Sequence, residues 1–473
     1  MTGTTGDLHD APAPSAAEDL EDFALEEDYA LNPQFVEMVI DAADRSDTKR
    51  LRELVEALRA EDVADLMGFL SADYREEIIP LIDPVNLAEI LSELDTNLRE
   101  EILETVAPAT LAKALEELDS DDAADVVDDM EDHQRGQVLA AMSDVDRAAI
   151  ETALAYEDET AGRLMQREVL AAPEFWTVGQ TIDHIRGSGE DLPEMFFDVY
   201  VIDPSFKPVG AVALSKLLRS PRATRLADIM EEVTEIPVDM DQEEAAYTFN
   251  KYHLISAPVV DKGGRLVGQI TVDDIVDVIS EEGHEDVLAL AGVSDAGRDA
   301  DIGDIVKSRL PWLVLNLVTE TIAVSSIAIF QNEIAKVVAL AVLMPIVSSL
   351  GGNAGTQTLA VAVRALASRE LSSVNAARVI RREVLVSFAN GFVLALVMGA
   401  AVFVWYQELR LAITVGLALI ANIFVAAVGG ILAPLALEKM GRDPAVSSSV
   451  FVTFLTDFMG FLAVLGIASL ILL

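Results

Sequence analysis

The chain has 473 residues, 51% of them hydrophobic, with 80 Asp and Glu against 33 Lys and Arg, a formal net charge of −47, five His and no Cys. Such a charge repels nucleic acid and anionic lipid and concentrates multivalent cations. The scarcity of His and absence of Cys exclude thiolate sites and most zinc-type sites, which leaves oxygen ligands for hard cations such as Mg2+ or Ca2+. The charge is uneven: residues 310–473 hold 8 acids and 9 bases, leaving 72 acids and 24 bases to residues 1–309.

In chain order, Met1 to Asp28 is acidic and rich in Ala, Pro, Thr and Gly. It lacks a basic n-region and an apolar core, so residues 1–30 are expected to be a disordered acidic tail rather than a cleavable signal. Residues 31–160 read as an acidic α-helical superhelix. Tyr74-Arg-Glu-Glu-Ile returns 24 residues later as Leu98-Arg-Glu-Glu-Ile, and Leu87-Ala-Glu-Ile-Leu as Leu111-Ala-Lys-Ala-Leu. That period fits paired short helices stacked as a solenoid. Leu87, Ile90, Leu91 and Leu94 lie at helical spacing and are expected in its core.

A second repeat occupies residues 161–282. Val199-Tyr-Val-Ile-Asp203 with Val209-Gly210 recurs 58 residues on as Ala257-Pro-Val-Val-Asp261 with Val267-Gly268. Each copy reads as strand, turn, strand and helix. The pattern resembles a tandem pair of CBS domains, modules that often bind adenine nucleotides through a Thr-x-x-Asp turn. Here that turn is Thr271 to Asp274, and it serves equally well as a helix cap. The first copy has Ser215 and Lys216 instead.

An acid-dense junction follows, with Asp273, Asp274, Asp277, Glu281, Glu282, Glu285 and Asp286. On a helix Asp273 and Asp277 are one turn apart, as are Glu281 and Glu285, and like charges at that spacing repel. A hydrated linking helix over 283–310 and a set of cation sites both fit these residues.

Five apolar segments follow: Pro311 to Phe330, Ile334 to Val363, Val384 to Trp405, Leu411 to Leu435 and Val450 to Leu473, each long enough to cross a bilayer. Arg364, Arg369, Arg378, Arg381 and Arg382 follow the second segment and Lys439 and Arg442 the fourth, so these loops are expected in the cytoplasm. The N-terminus then lies inside the cell and the C-terminus outside. In the second segment Pro345, Gly351, Gly352 and Gly355 open the helix to close approach, and Asn353 and Gln357 add amide oxygens. Asp457 is the lone carboxylate of the last segment, where an ionisable group usually faces a protein interior or an ion path. Thr453, Thr456 and the loop Gly441 to Ser449 offer further oxygens.

The order of acidic solenoid, tandem CBS pair, linking helix and five spans, with Gly351-Gly-Asn-Ala-Gly-Thr-Gln357, Arg442-Asp-Pro-Ala445 and Thr456-Asp-Phe-Met-Gly460, resembles the MgtE family of magnesium channels. The resemblance implies a homodimer in the bilayer with one pore on its twofold axis. Asp457 would hold hydrated Mg2+, and Gly351, Gly352, Asn353, Gly355, Thr356, Gln357, Ser449, Thr453 and Gly460 would line the path. It implies sensor acids at Glu89, Asp121, Asp125, Glu243, Asp274, Asp277, Glu282, Glu285 and Asp286, whose Mg2+ closes the pore. An adenine nucleotide such as ATP would contact Thr271 and Asp273. His253 replaces an expected sensor acid, and Thr356 and Ser449 stand where relatives can carry Asn. Glu320, a second intramembrane acid, is read as a helix-packing hydrogen-bond partner rather than an auxiliary ligand. A coupled metal carrier and a non-transporting sensor are the rival classes. An enzyme is not expected, since no nucleophile–base pair or phosphate loop appears.

Overall fold

The computed structural model describes residues 20, 23–26, 28–188, 192–193, 195–293, 302–371, 376–440, 444 and 448–472. The chain forms two compact units that divide between Ile279 and Ser280. Most of the tail expected over 1–30 lies outside the described residues. Leu20 and Ala24 are already buried against the helical core, so packed chain begins before residue 31.

From Pro33 the described residues of the first unit form ten short α-helices: α1 (Pro33–Asp44), α2 (Thr48–Val55), α3 (Ala60–Phe69), α4 (Ala72–Ile78), α5 (Pro84–Glu93), α6 (Thr96–Thr105), α7 (Pro108–Leu115), α8 (Ser120–Asp128), α9 (Asp132–Ala141) and α10 (Asp144–Ala153). Their starts follow ordinary capping chemistry. Asn32 and Asp83 accept the backbone N–H of Gln34 and Val85, with Pro33 and Pro84 at the first helical position. Helices two apart in sequence pack together, α3 on α5, α5 on α7, α7 on α9 and α8 on α10, as a solenoid requires. Leu87, Ile90, Leu91 and Leu94 are all buried.

The repeated arginine explains itself structurally. Arg75 donates to the Met67 carbonyl at the end of α3, and Arg99 to the Ser92 and Leu94 carbonyls at the end of α5. Arg135 does the same for Val127 and Met130 at the end of α8. A guanidinium there satisfies orphan carbonyls and complements the negative helix end.

The first unit continues through α11 (Ala161–Leu164) into two three-stranded sheets. One has the order β1 (Ala171–Pro173), β2 (Asp198–Ile202), β3 (Pro208–Ala213); the other β4 (Ile236–Pro237), β5 (Ser256–Val260), β6 (Leu266–Thr271). In each the first pair is parallel and the second antiparallel. Val201 pairs with Gly210, and Val259 with Gly268, which is the 58-residue repeat expressed as register. Both glycines are required by crowding: a Cβ would lie 2.7 Å from the Glu231 carbonyl at Gly210, and 2.5 Å from the Gln166 carbonyl at Gly268. Helices α12 (Val178–Ser188), α13 (Leu214–Arg219) and α14 (Gln242–Tyr252) accompany the sheets, and α15 (Val272–Leu290) leaves β6. The junction expected as a linking helix over 283–310 contains the end of α15 and the start of α16, while 294–301 lie outside the described residues.

The second unit holds α16 (Ile302–Ile329), α17 (Gln331–Lys336), α18 (Ala339–Ala367), α19 (Ala376–Tyr406), α20 (Leu409–Lys439) and α21 (Ser448–Ile471). Among the described residues all of these but α17 are long and apolar enough to cross a membrane, matching the five expected spans. Helix α20 is the hub, packed against α18, α19 and α21, and α16 packs on α21. Ala289 and Leu290, at the end of α15, are half-buried against Leu359, Val363, Ala433 and Val452.

Candidate metal centre and acidic surfaces

Asp457 sits half-buried near the middle of α21, facing α18. The Ser348 hydroxyl on α18 donates to its Oδ1. The Glu320 carboxyl on α16 lies within hydrogen-bonding reach of it as well. Three helices therefore converge on one carboxylate, and the pairing partner of Glu320 is Asp457.

The glycines and amides of α18 fall on different faces. Gly351 and Gly355 are buried: a Cβ on Gly351 would stand 2.0 Å from Asn422 Nδ2, and one on Gly355 2.6 Å from Val452 Cγ1. Asn353, Thr356 and Gln357 are exposed on the protomer, and Gly352 is half-buried. Exposed amides on a membrane helix call for a polar neighbour or water. Ser449 and Thr453 are half-buried on α21, and Gly460 is buried. The Thr456 hydroxyl turns back to the Val452 and Thr453 carbonyls. Arg442, Asp443 and Ala445 lie outside the described residues. Ser348 and Asn422 escaped sequence reading; for Asn422 the available signal was a lone amide in the apolar run Leu411 to Leu435.

In the first unit two acidic surfaces meet. Asp121, at the start of α8, is buried, and its Oδ1 has no hydrogen-bond donor among the described residues. Burial, then the charges of Asp274, Asp122 and Asp119, push its carboxyl well above the usual range. Asp274 is pushed up to about 6, mainly by burial, although it accepts both the N–H and the hydroxyl of Thr271, at 3.1 and 2.7 Å. The Asp274 carboxylate thus reaches back to the Thr271 N–H at the start of α15, with the Thr271 hydroxyl committed to it as donor, and Asp273 is exposed. Burial and the charges of Glu61 and Asp277 raise Glu93, an acid that sequence reading did not single out. Asp125 pairs with Arg163 at 3.1 Å. Glu89, Glu243 and Glu285 are exposed, and Glu282 and Asp286 half-buried. His253 takes a left-handed conformation, φ 54°, as the C-cap of α14. Among the described residues no three acidic or histidine side chains are grouped closely enough to hold a metal ion.

Comparison with known proteins gives these features a family. Profiles match the MgtE divalent cation transporter over residues 344–467, the MgtE intracellular N domain over 58–159 and the CBS domain over 226–281. The magnesium transporter MgtE of Thermus thermophilus is 34% identical over 91% of this chain and 97% of its own. That of Enterococcus faecalis is 36% identical over 68% of this chain and 71% of its own. Among solved structures, the cytosolic domain of the Mg2+ channel MgtE in complex with ATP is 34% identical, with a TM-score of 0.49, and covers 51% of this chain and 99% of that one. Helical N-terminal domain, CBS pair and five membrane-crossing helices agree with that order: the chain belongs to the MgtE family of magnesium transporters.

Proposed function

We propose that the chain is a passive Mg2+ channel that admits Mg2+ through the cytoplasmic membrane and is closed by Mg2+ bound to its acidic N-terminal and CBS regions. The observation that carries this reading is Asp457, set in an apolar span and met by Ser348 and Glu320. Mg2+ sheds water reluctantly and favours one or two carboxylates with its waters over a full protein cage, so one Asp from each chain suffices. The exposed face of Asn353, Thr356 and Gln357 favours a homodimer in which this face meets the ion path.

For gating, the supporting observation is the mutual repulsion of Asp121, Asp122 and Asp274. A cation bridging them would lower that cost and draw the acidic surfaces together. Glu89, Asp125, Glu243, Asp277, Glu282, Glu285 and Asp286 are the further proposed sensor acids. In this reading residues 31–160 form the sensor superhelix, 161–282 the CBS pair, 283–310 the link and 311–473 the pore, with the N-terminus in the cytoplasm. ATP is the proposed second ligand at Thr271 and Asp273, where it would compete with Asp274 for the Thr271 hydroxyl.

Mg2+ flux into proteoliposomes holding a trapped Mg2+ dye, without a proton gradient, tests the reading. The native chain is expected to conduct and Asp457→Ala to lose at least about tenfold, the cost of deleting the pore carboxylate. Equal flux in both would remove Asp457 from the path. The Glu320–Asp457 contact gives a second reading some footing, a proton-coupled carrier, for which flux would appear only with a proton gradient.

A further inference from the structure

A buried amide on α20 sits where α18 and α21 come closest to it. Asn422 is fully buried, at 0% exposure, within a span otherwise almost wholly apolar. Its Nδ2 donates to the Val347 carbonyl of α18 at 3.0 Å. Its Oδ1 is buried and finds no hydrogen-bond donor among the described residues. A buried amide oxygen without a donor is costly, so its placement calls for a reason beyond filling space.

The position of this amide is more telling than its cost. A Cβ at Gly460 would lie 2.9 Å from Asn422 Nδ2 and 3.2 Å from Ser348 Cα; one at Gly351 would lie 2.0 Å from Nδ2. The amide therefore fills the notch opened by two glycines, one on α18 and one on α21. Ser348 precedes Gly351 by three residues, and Asp457 precedes Gly460 by three. Each pair spans about one helical turn, so the amide seats one turn from the Ser348–Asp457 hydrogen bond.

We propose that Asn422 is a positioning residue for ion selection: wedged between Gly351 and Gly460, it fixes the separation of α18 and α21 at Ser348 and Asp457, and so decides which divalent cations pass. This rests on the reading of Asp457 as the pore ligand. Mg2+ must pass with much of its water, whereas Ca2+ is larger and exchanges ligands more freely, so a small change in that gap shifts their relative passage. A side chain that only filled space would serve as well without an amide.

The test measures Mg2+ and Ca2+ flux into proteoliposomes for the native chain, Asn422→Leu and Asn422→Ser, each with and without Ser348→Ala, beside Asp457→Ala. The ratio of the two fluxes is the readout. Both Asn422 variants are expected to shift it by about threefold or more, and Ser348→Ala to absorb most of that shift, because both act through one contact. A ratio unchanged in variants that elute as folded protein would overturn the proposal, as would a shift of equal size in the Ser348→Ala background. Failure of both Asn422 variants to fold would also overturn it, by assigning the amide to stability. If Asp457→Ala conducts like the native chain, the pore reading fails instead.

Discussion

Gly351 and Gly352 are adjacent and chemically identical, yet their surroundings differ. A Cβ on Gly351 runs into the fully buried Asn422 amide, which is held by the Val347 carbonyl, while the nearest atom to one on Gly352 is Thr456 Oγ1 at 3.8 Å. Gly351→Ala is therefore expected to lower the thermal stability of the detergent-solubilised protein by about 1–3 kcal/mol, the usual cost of overpacking. Gly352→Ala should leave it unchanged or raise it slightly, since Ala is the better helix former. Equal melting temperatures for the two variants would contradict the packing described. Thr271 offers a second contrast: Thr271→Val removes the hydroxyl that donates to Asp274 but keeps the shape and the backbone N–H bond, and should cost roughly 1.5–3 kcal/mol, the usual worth of a hydrogen bond to a charged group.

Helix α8 brings acids to a surface that already carries them. Because Asp274 and Asp121 titrate above the ordinary carboxylate value of 3.8, the folded chain holds protons that the unfolded chain has released. Their contribution to stability is fully present below that value and is lost as pH rises, through about 6 for Asp274. In Mg2+-free buffer the melting temperature of Asp121→Asn is therefore expected to gain on that of the native chain as pH rises from about 4 to about 7. Added Mg2+ should close the gap at neutral pH if Asp121 belongs to a sensor site. Parallel pH profiles for the two proteins would remove Asp121 from the electrostatic account.

Across the whole molecule the dominant quantity is charge, 72 acids against 24 bases before residue 310. Domains of like charge separate unless cations intervene, within a screening length of about 10 Å at 0.1 M salt. Small-angle scattering should show a smaller radius in Mg2+ than in K+ at matched ionic strength. An identical radius in both would sink gating by charge neutralisation, while leaving the transport function of the family intact. The half-burial of Ala289 and Leu290 against α18, α20 and α21 marks the end of α15 as the element that would feel such a change.

Much of this organisation was determined by local chemistry that sequence displays directly. Runs of apolar residues too long for a soluble core mark the five spans, the 24- and 58-residue repeats mark solenoid and sheet pair, and an isolated Asp457 marks the proposed ion site, because each is a property of neighbours along the chain. Tertiary structure alone decided what those residues meet. Glu320 finds Asp457 from 137 positions away, Asn422 settles into a notch made by Gly351 and Gly460, and Arg163 pairs with Asp125 of α8. Such partners are set by helix packing angle and depth, and no periodicity records which face of one helix will lie against which residue of another.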